Sequence, residues 1–422
     1  MITVTFYLKM LSVIVCGAIG LQSIRACLDI LVPLTLSNRI GLSPSDLSST
    51  LGKRWYGVFL AMACGVELAR RRTSRVPELL IILAILTYFL GSYCNTASLF
   101  SFILGICGAL VSVSAMCMNV LVQTAEPDRK SRNNTIYRVC GNITYSLFSL
   151  LLGHHVILKH DGDSGEYDTL RHVYLATTCV VLICAGNVYI SSSNVRNSPP
   201  RSSKRQEKFS SLFRREYLDL TILCVVLAAL ATCAQTARSV IEPRFVGNLN
   251  ASGSQYGSIH AASSFVSLLT TILVGRILTK GCLDNRFMLI FLAISMSIGM
   301  ILVSVTSSLF LSSLGVILSR SAEESAKVPC NVWLANLAFK NSRHKGEVGT
   351  ILSACIAFQK LFGAFLKAIA ASAAAELIRY NGISSVFLVC ALVSIFSSCL
   401  LVFVSPVFEH HHHALDRHAK QK

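Results

Sequence analysis

Runs of about twenty apolar residues recur from one end of this 422-residue chain to the other. Each is long enough to cross a hydrocarbon core of about 30 Å as a helix. Charged residues make up only 14% of the chain, where a soluble globular protein needs roughly 25% to cover its surface. The charges are also clustered between the apolar runs, and no gap is long enough to hold a separate soluble domain. These features predict an all-α integral membrane protein and exclude a soluble enzyme or nucleic-acid binder, despite a net charge of +17.

Twelve spans follow from the runs: 9–36, 50–69, 77–95, 98–123, 134–158, 171–192, 217–243, 254–278, 287–306, 309–338, 347–376 and 383–406. The first begins near Lys9 and leads into further spans without an Ala-x-Ala cleavage site, so it reads as a membrane helix and not as a removable leader. Residues 193–216, rich in Ser, Pro and basic side chains, form a linker by composition. The expected organisation is a first six-helix bundle over 1–192, the linker, a second bundle over 217–408 and a tail over 409–422.

Basic residues fix an orientation. The loops after even-numbered spans, counted with Arg276 at the end of the eighth span and with the linker and tail, hold 23 of the 38 Lys and Arg, among them Arg70, Arg71, Arg72 and Arg75. Loops after odd-numbered spans, counted with the first turns of the spans that follow, hold seven, including Lys53 and Arg54, and the loop after the fifth span is acidic, with Asp161, Asp163, Glu166 and Asp168. Cytoplasmic loops carry the excess of positive charge, so both termini and the linker are expected in the cytoplasm. The expectation covers plasma and organelle membranes alike. Asn250-Ala-Ser252 is then a glycosylation sequon on the opposite side, and Asn133-Asn-Thr135 stays bare.

Most of the 16 cysteines, such as Cys107, Cys184 and Cys233, fall inside apolar runs with no Cys-x-x-Cys pair and no histidine at metal-ligand spacing, and read as small buried hydrophobes. The run His410 to His413 reads as solvated tail. No metal or cofactor is expected. There is no Gly-x-Ser-x-Gly elbow, no phosphate-cradling Gly-rich loop and no His-Glu-x-x-His, so no enzyme activity is expected.

The chain also repeats itself. Arg25-Ala-Cys-Leu-Asp29 in the first span corresponds to Arg238-Ser-Val-Ile-Glu242 in the seventh, an offset of 213. The same offset relates Cys117 to Cys330, Leu121 to Leu334, Arg132 to Lys345 and Tyr145 to Phe358. At the ends of spans two and eight, Gly65-Val-Glu67-Leu-Ala-Arg70 matches Gly275-Arg-Ile-Leu-Thr-Lys280 at an offset of 210.

Two six-helix halves in parallel, joined by a basic linker, resemble the major facilitator superfamily over essentially the whole chain. Gly65, Glu67 and Arg70, with Gly275 and Lys280, are similar to the family's loop signature, which the resemblance implies is a conformational latch; Ala69 and Thr279 stand where the family has Asp. Arg320 with Glu323 resembles a family Arg of the fourth span, moved to the tenth. The Gly-Pro signature of drug–proton antiporters is absent from the fifth span, where Gly141-Asn-Ile-Thr-Tyr stands. Within the superfamily the pattern is most similar to tetracycline and organic-cation carriers. The resemblance implies secondary active transport of a small organic solute by alternating access, with protons as a coupling ion. The rival reading is a non-transporting receptor or scaffold of the same fold. The partners expected are the solute, protons and the lipid bilayer, with no nucleic acid, and the protein is expected to be a monomer.

Ionisable groups at membrane depth cost about 2.5–3.5 kcal/mol each and must face partners, water or substrate. Arg25 and Asp29, and likewise Arg238 and Glu242, are four apart and placed to pair along their own helices, as coupling sites or as structural staples beside Pro33 and Pro243. Arg320, Glu323, Glu324 and Lys327 form one stripe on the tenth span, either a proton-coupling carboxylate tuned by Arg320 or a self-satisfied network. Gln359, Lys360 and Lys367 lie on the eleventh; the lysines would bind an anionic substrate, pair with the glutamates, or snorkel. Arg138 reads as a boundary residue that snorkels to the cytoplasmic face.

Overall fold

A computed structural model of the chain describes residues 2–36, 40–71, 76–124, 130–157, 166–192, 218–279, 283–341 and 348–404. These residues form twelve long helices: α1 (Ile2–Ala26), α2 (Pro44–Arg71), α3 (Val76–Tyr93), α4 (Ala97–Thr124), α5 (Lys130–Ile157), α6 (Glu166–Ser192), α7 (Leu218–Ser239), α8 (Gly253–Thr279), α9 (Asn285–Val305), α10 (Leu309–Asn341), α11 (Val348–Asn381) and α12 (Ile383–Leu400). Each expected span has its helix. Among the described residues, nine helices are long and apolar enough to cross a membrane. Helix α10, with four ionisable side chains within about two turns, is not one of the nine. Large apolar side chains such as Phe102, Ile183, Phe291 and Phe396 are exposed on the outside of the bundle, where lipid satisfies them as water would not.

Several helices extend past the apolar runs. A clear difference is in α2, which begins at Pro44 and not near residue 50. Pro at the first helical position has no N–H to lose. Ser43 Oγ accepts the Asp46 N–H at 3.3 Å and donates to the Asp46 carboxylate at 2.6 Å, a start signal that satisfies an otherwise orphaned donor. Lys53 and Arg54, counted with the loop charge although the expected span of 50–69 already contained them, lie about three turns inside this helix.

Helices α1 and α7 both lose regular α-geometry at their far ends. Cys27–Leu31 is a π-turn in which the Val32 N–H reaches back five residues to the Cys27 carbonyl. Pro33, which follows, has no N–H for the Asp29 carbonyl, so the ladder loosens where Asp29 stands. Pro243–Asn248 is the counterpart after α7, ending with the Leu249 N–H on the Arg244 carbonyl. Asn250, in the sequon, is exposed and has a φ of 51°, a conformation Asn tolerates.

The packing repeats with the sequence. Helix α1 packs on α5 and α6, as α7 packs on α11 and α12; α2 packs on α4, as α8 on α10; α3 packs on α4 and α6, as α9 on α10 and α12. The two six-helix bundles meet through α2 against α11 and α5 against α8, a pair of contacts that also exchange under the same relation. The α2–α11 seam depends on Gly52, where a Cβ would collide with the Ala371 methyl. Small residues at such crossings let backbones approach where no hydrophobic drive separates helix from lipid. The linker, the tail with His410 to His413, and Lys280 lie outside the described residues. So do the side chains of Glu67 and Arg70.

A charged cavity between the bundles as candidate functional site

A cavity of about 320 Å³ lies between the two bundles. Its walls come from α1, α2, α4 and α5 on one side and α7, α8, α10 and α11 on the other. The lining shares one direction. From Asp29 it runs back to Leu21 on α1; from Arg54 it runs on to Val58 on α2; from Tyr145 back to Tyr137 on α5; from Arg320 on to Lys327 on α10; and from Lys367 back to Lys360 on α11. The space therefore extends from the level of Asp29 towards the end of the bundle where α1, α5 and α11 begin. Beyond Asp29, a pocket of only about 30 Å³ remains between Pro33, Gly52, Thr236 and Ala371.

The closed end is held by charges and aromatic rings. Asp29 does not pair along its own helix with Arg25. Its Oδ1 accepts both terminal nitrogens of Arg54 at 3.5 Å, and its Oδ2 accepts the Tyr145 hydroxyl at 3.3 Å. Arg54 stands about three turns into α2, within reach of Asp29. Arg25, one turn below Asp29, instead faces the cavity.

In the second bundle the expected pairing along α7 is likewise replaced by one between helices. Arg238 donates to Glu323 on α10 and lies 3.8 Å from Glu324. Glu324 pairs with Lys327 one turn on. Glu242 is buried, with 2% exposure, at the start of the π-turn. Arg320 is on the same stripe but pairs with neither glutamate. It donates to His260 Nδ1 at 2.8 Å and to Ser263 Oγ at 3.2 Å, both on α8, and its guanidinium lies 4.4 Å from the ring of Tyr145. Because Arg only donates, the Nδ1 it meets is an acceptor and the imidazole proton belongs on Nε2.

Two of these contacts join the bundles. Arg320 of α10 covers Tyr145 of α5, and Lys367 of α11 lies 4.3 Å from the ring of Trp55 of α2. Arg54 approaches the same Trp55 ring at 4.9 Å, so one indole serves a cation from each bundle. Tyr56 and Ser372 hydroxyls, 3.5 Å apart, extend the seam.

Of the residues expected at the site, Arg25, Asp29, Arg238, Arg320, Glu324, Lys327 and Lys360 line the large cavity. Glu323 stands behind Arg238 in an adjoining small pocket. Glu242 and Gln359 line none of these spaces. Arg138, expected at a lipid boundary, lines the cavity instead. Arg54, Trp55, Tyr145 and His260 complete the site although sequence reasoning had not placed them there. Gly275 lies on α8, away from this site. Among the described residues no group of His, Cys, Asp and Glu is placed to hold a metal ion, and the described cysteines form no disulfide and are mostly buried.

This arrangement of helices has close structural counterparts. A bacterial homologue of the human lysosomal transporter Spinster, in an inward-facing and unoccupied conformation, superposes with a TM-score of 0.64 at 14% identity over 95% of both chains. The nucleoside transporter NupG gives 0.70 at 11% identity over 94% of this chain and 99% of its own. A D-xylose–proton symporter gives 0.69 at 14% identity over 95% and 98%. Among curated proteins no sequence matches. The profile of the Major Facilitator Superfamily matches residues 14–366. Repeat, packing, central cavity and profile agree, and the chain belongs to the major facilitator superfamily.

Proposed function

We propose that this protein is a secondary carrier that moves a small organic solute by alternating access. The observation that carries the reading is the polar cavity at membrane depth, built by both bundles, closed at one end and extended towards the other. Ionisable groups in a bilayer are tolerated beside water or partners, and a shared cavity closed by contacts between bundles is what rocking of two halves about a central site requires. With the basic loops in the cytoplasm, the cavity extends inwards, and Gly52 against Ala371, Trp55 under Lys367 and Tyr145 under Arg320 form the outer closure.

Proton coupling fits the same geometry. Asp29 and Glu324 line the cavity, and each is held by a cation that a change of state would move. We assign Glu324 as the coupling carboxylate and Asp29 as the acid that ties the outer closure to the cavity. The reading is tested by uptake into proteoliposomes across a panel of metabolites and drugs. Saturable flux is expected, falling at least tenfold in Asp29→Asn and Glu324→Gln while both variants still reach the membrane. Unchanged flux in both removes the coupling assignment. No flux of any solute favours the receptor or scaffold reading instead.

A further inference from the structure

The cavity is lined by eight cationic side chains and two carboxylates. Five of the cations are engaged: Arg54 with Asp29, Arg238 with Glu323 and Glu324, Lys327 with Glu324, Arg320 with His260 and Ser263, and Lys367 with Trp55. Arg25, Arg138 and Lys360 remain. Among the described residues none of the three has a carboxylate within ion-pair distance, yet all three line one cavity. They come from α1, α5 and α11, so they approach the space from both bundles, at the open side of the closed network.

Three uncompensated cations in a confined space at membrane depth repel one another. A chain keeps them there at a cost that an anion entering the cavity would remove. Two of them are arginines, whose planar forks match carboxylate and phosphate oxygens. Gln22, Ser112, Tyr137 and Asn142 line the same region and add neutral hydrogen-bonding groups for the rest of a polar solute. The space, about 320 Å³, admits a metabolite and not a macromolecule.

We propose that the transported solute is a small organic anion, a carboxylate or organophosphate, bound by Arg25, Arg138 and Lys360. This rests on the carrier reading above and replaces the organic cation that the sequence resemblance suggested. A cation would enter a field of its own sign. Because the three residues belong to both bundles, the anion also neutralises the repulsion that would oppose their approach, so occupancy favours closure.

The test uses the full-length protein in vesicles of phosphatidylcholine alone, with lactate, succinate, citrate and glucose 6-phosphate as anions, glucose and glycerol as neutral solutes, and choline and tetraethylammonium as cations. Saturable uptake of at least one anion and of neither cation is expected. Arg138→Gln and Lys360→Gln should each weaken that uptake about tenfold or more, as loss of a charge-assisted contact does, and Lys360→Arg should restore most of it. Preferred uptake of a neutral or cationic solute, or anion uptake unchanged in both glutamine variants, overturns the anion proposal and leaves the carrier reading standing. Absence of all uptake removes both. Phosphatidylglycerol added to the vesicles separates the two sources of such an anion: if it abolishes uptake by competition, the groove holds a lipid headgroup and the soluble-solute proposal fails.

Discussion

The Arg-x-x-x-acid repeat is used in opposite ways by the two bundles. In α1 the acid turns inward: Asp29 takes Arg54 and Tyr145, and Arg25 is left facing the cavity. In α7 the base turns inward: Arg238 takes Glu323 and Glu324, and Glu242 is buried near the helix end. Duplication thus preserved the positions of charge, while the neighbouring helix in each half decided which sign is satisfied there. The first bundle holds one acid between a base and a phenol from two other helices. The second holds two adjacent acids on α10 between one base from α7 and one of its own. The asymmetry is suited to a carrier, since a single rocking motion then stresses two different ion-pair sets.

Breaking the comparison at its strongest point means removing Arg238. Glu323 is 13% exposed at its side chain and Arg238 9%, so Arg238→Met leaves a buried carboxylate without its partner. A loss of about 3–5 kcal/mol is expected, read as thermal unfolding of the detergent-solubilised protein. The double variant Arg238→Met with Glu323→Gln should recover a large part of it. A double variant no more stable than the single one would show that the pair is not coupled.

In the first bundle the effects should be smaller, because Asp29 keeps several partners. Tyr145→Phe removes the hydroxyl that donates to Asp29 but keeps the ring beneath Arg320, and should cost about 1 kcal/mol. Tyr145→Leu removes both contacts and should cost about 0.5–2 kcal/mol more. Equal stability of the two variants would mean that the cation over the ring contributes nothing. The smallest effect is expected at the seam. Lys367→Met removes one of two cations on Trp55 and should cost about 0.5 kcal/mol. It should also raise outward accessibility of a cysteine placed at Ser239, measured with an impermeant maleimide against the native cysteine background. Unaltered labelling would separate this contact from the closure.

Twelve helices were legible because each apolar run is a membrane thickness long, and the loops between them carry charge. Ends were less legible, since hydropathy ignores polar residues that begin a helix. At Ser43-Pro44-Ser45-Asp46 the start signal was present in the chain, and reading it would have moved Arg54 from the first turns of its span to about three turns inside the helix. The charged members of the site were visible for the same energetic reason that makes them rare. Their partners were not. Spacing along a helix identifies neighbours on that helix only, whereas Asp29 and Arg238 are satisfied across helix interfaces. His260, Trp55 and Tyr145 were passed over because an imidazole or aromatic ring in an apolar run reads as packing. A lone histidine at membrane depth was the usable signal for the first of these.

The central claim is that the cavity is a solute path exposed to one side at a time. Counterflow tests it most directly. Proteoliposomes are preloaded with an unlabelled solute from the anion, neutral and cation panel, and external tracer of the same solute is followed with no ion gradient imposed. The account predicts, for at least one solute, transient accumulation of tracer above its equilibrium level, abolished in Asp29→Asn. Tracer that rises monotonically to equilibrium for every solute, or that never enters, would contradict it.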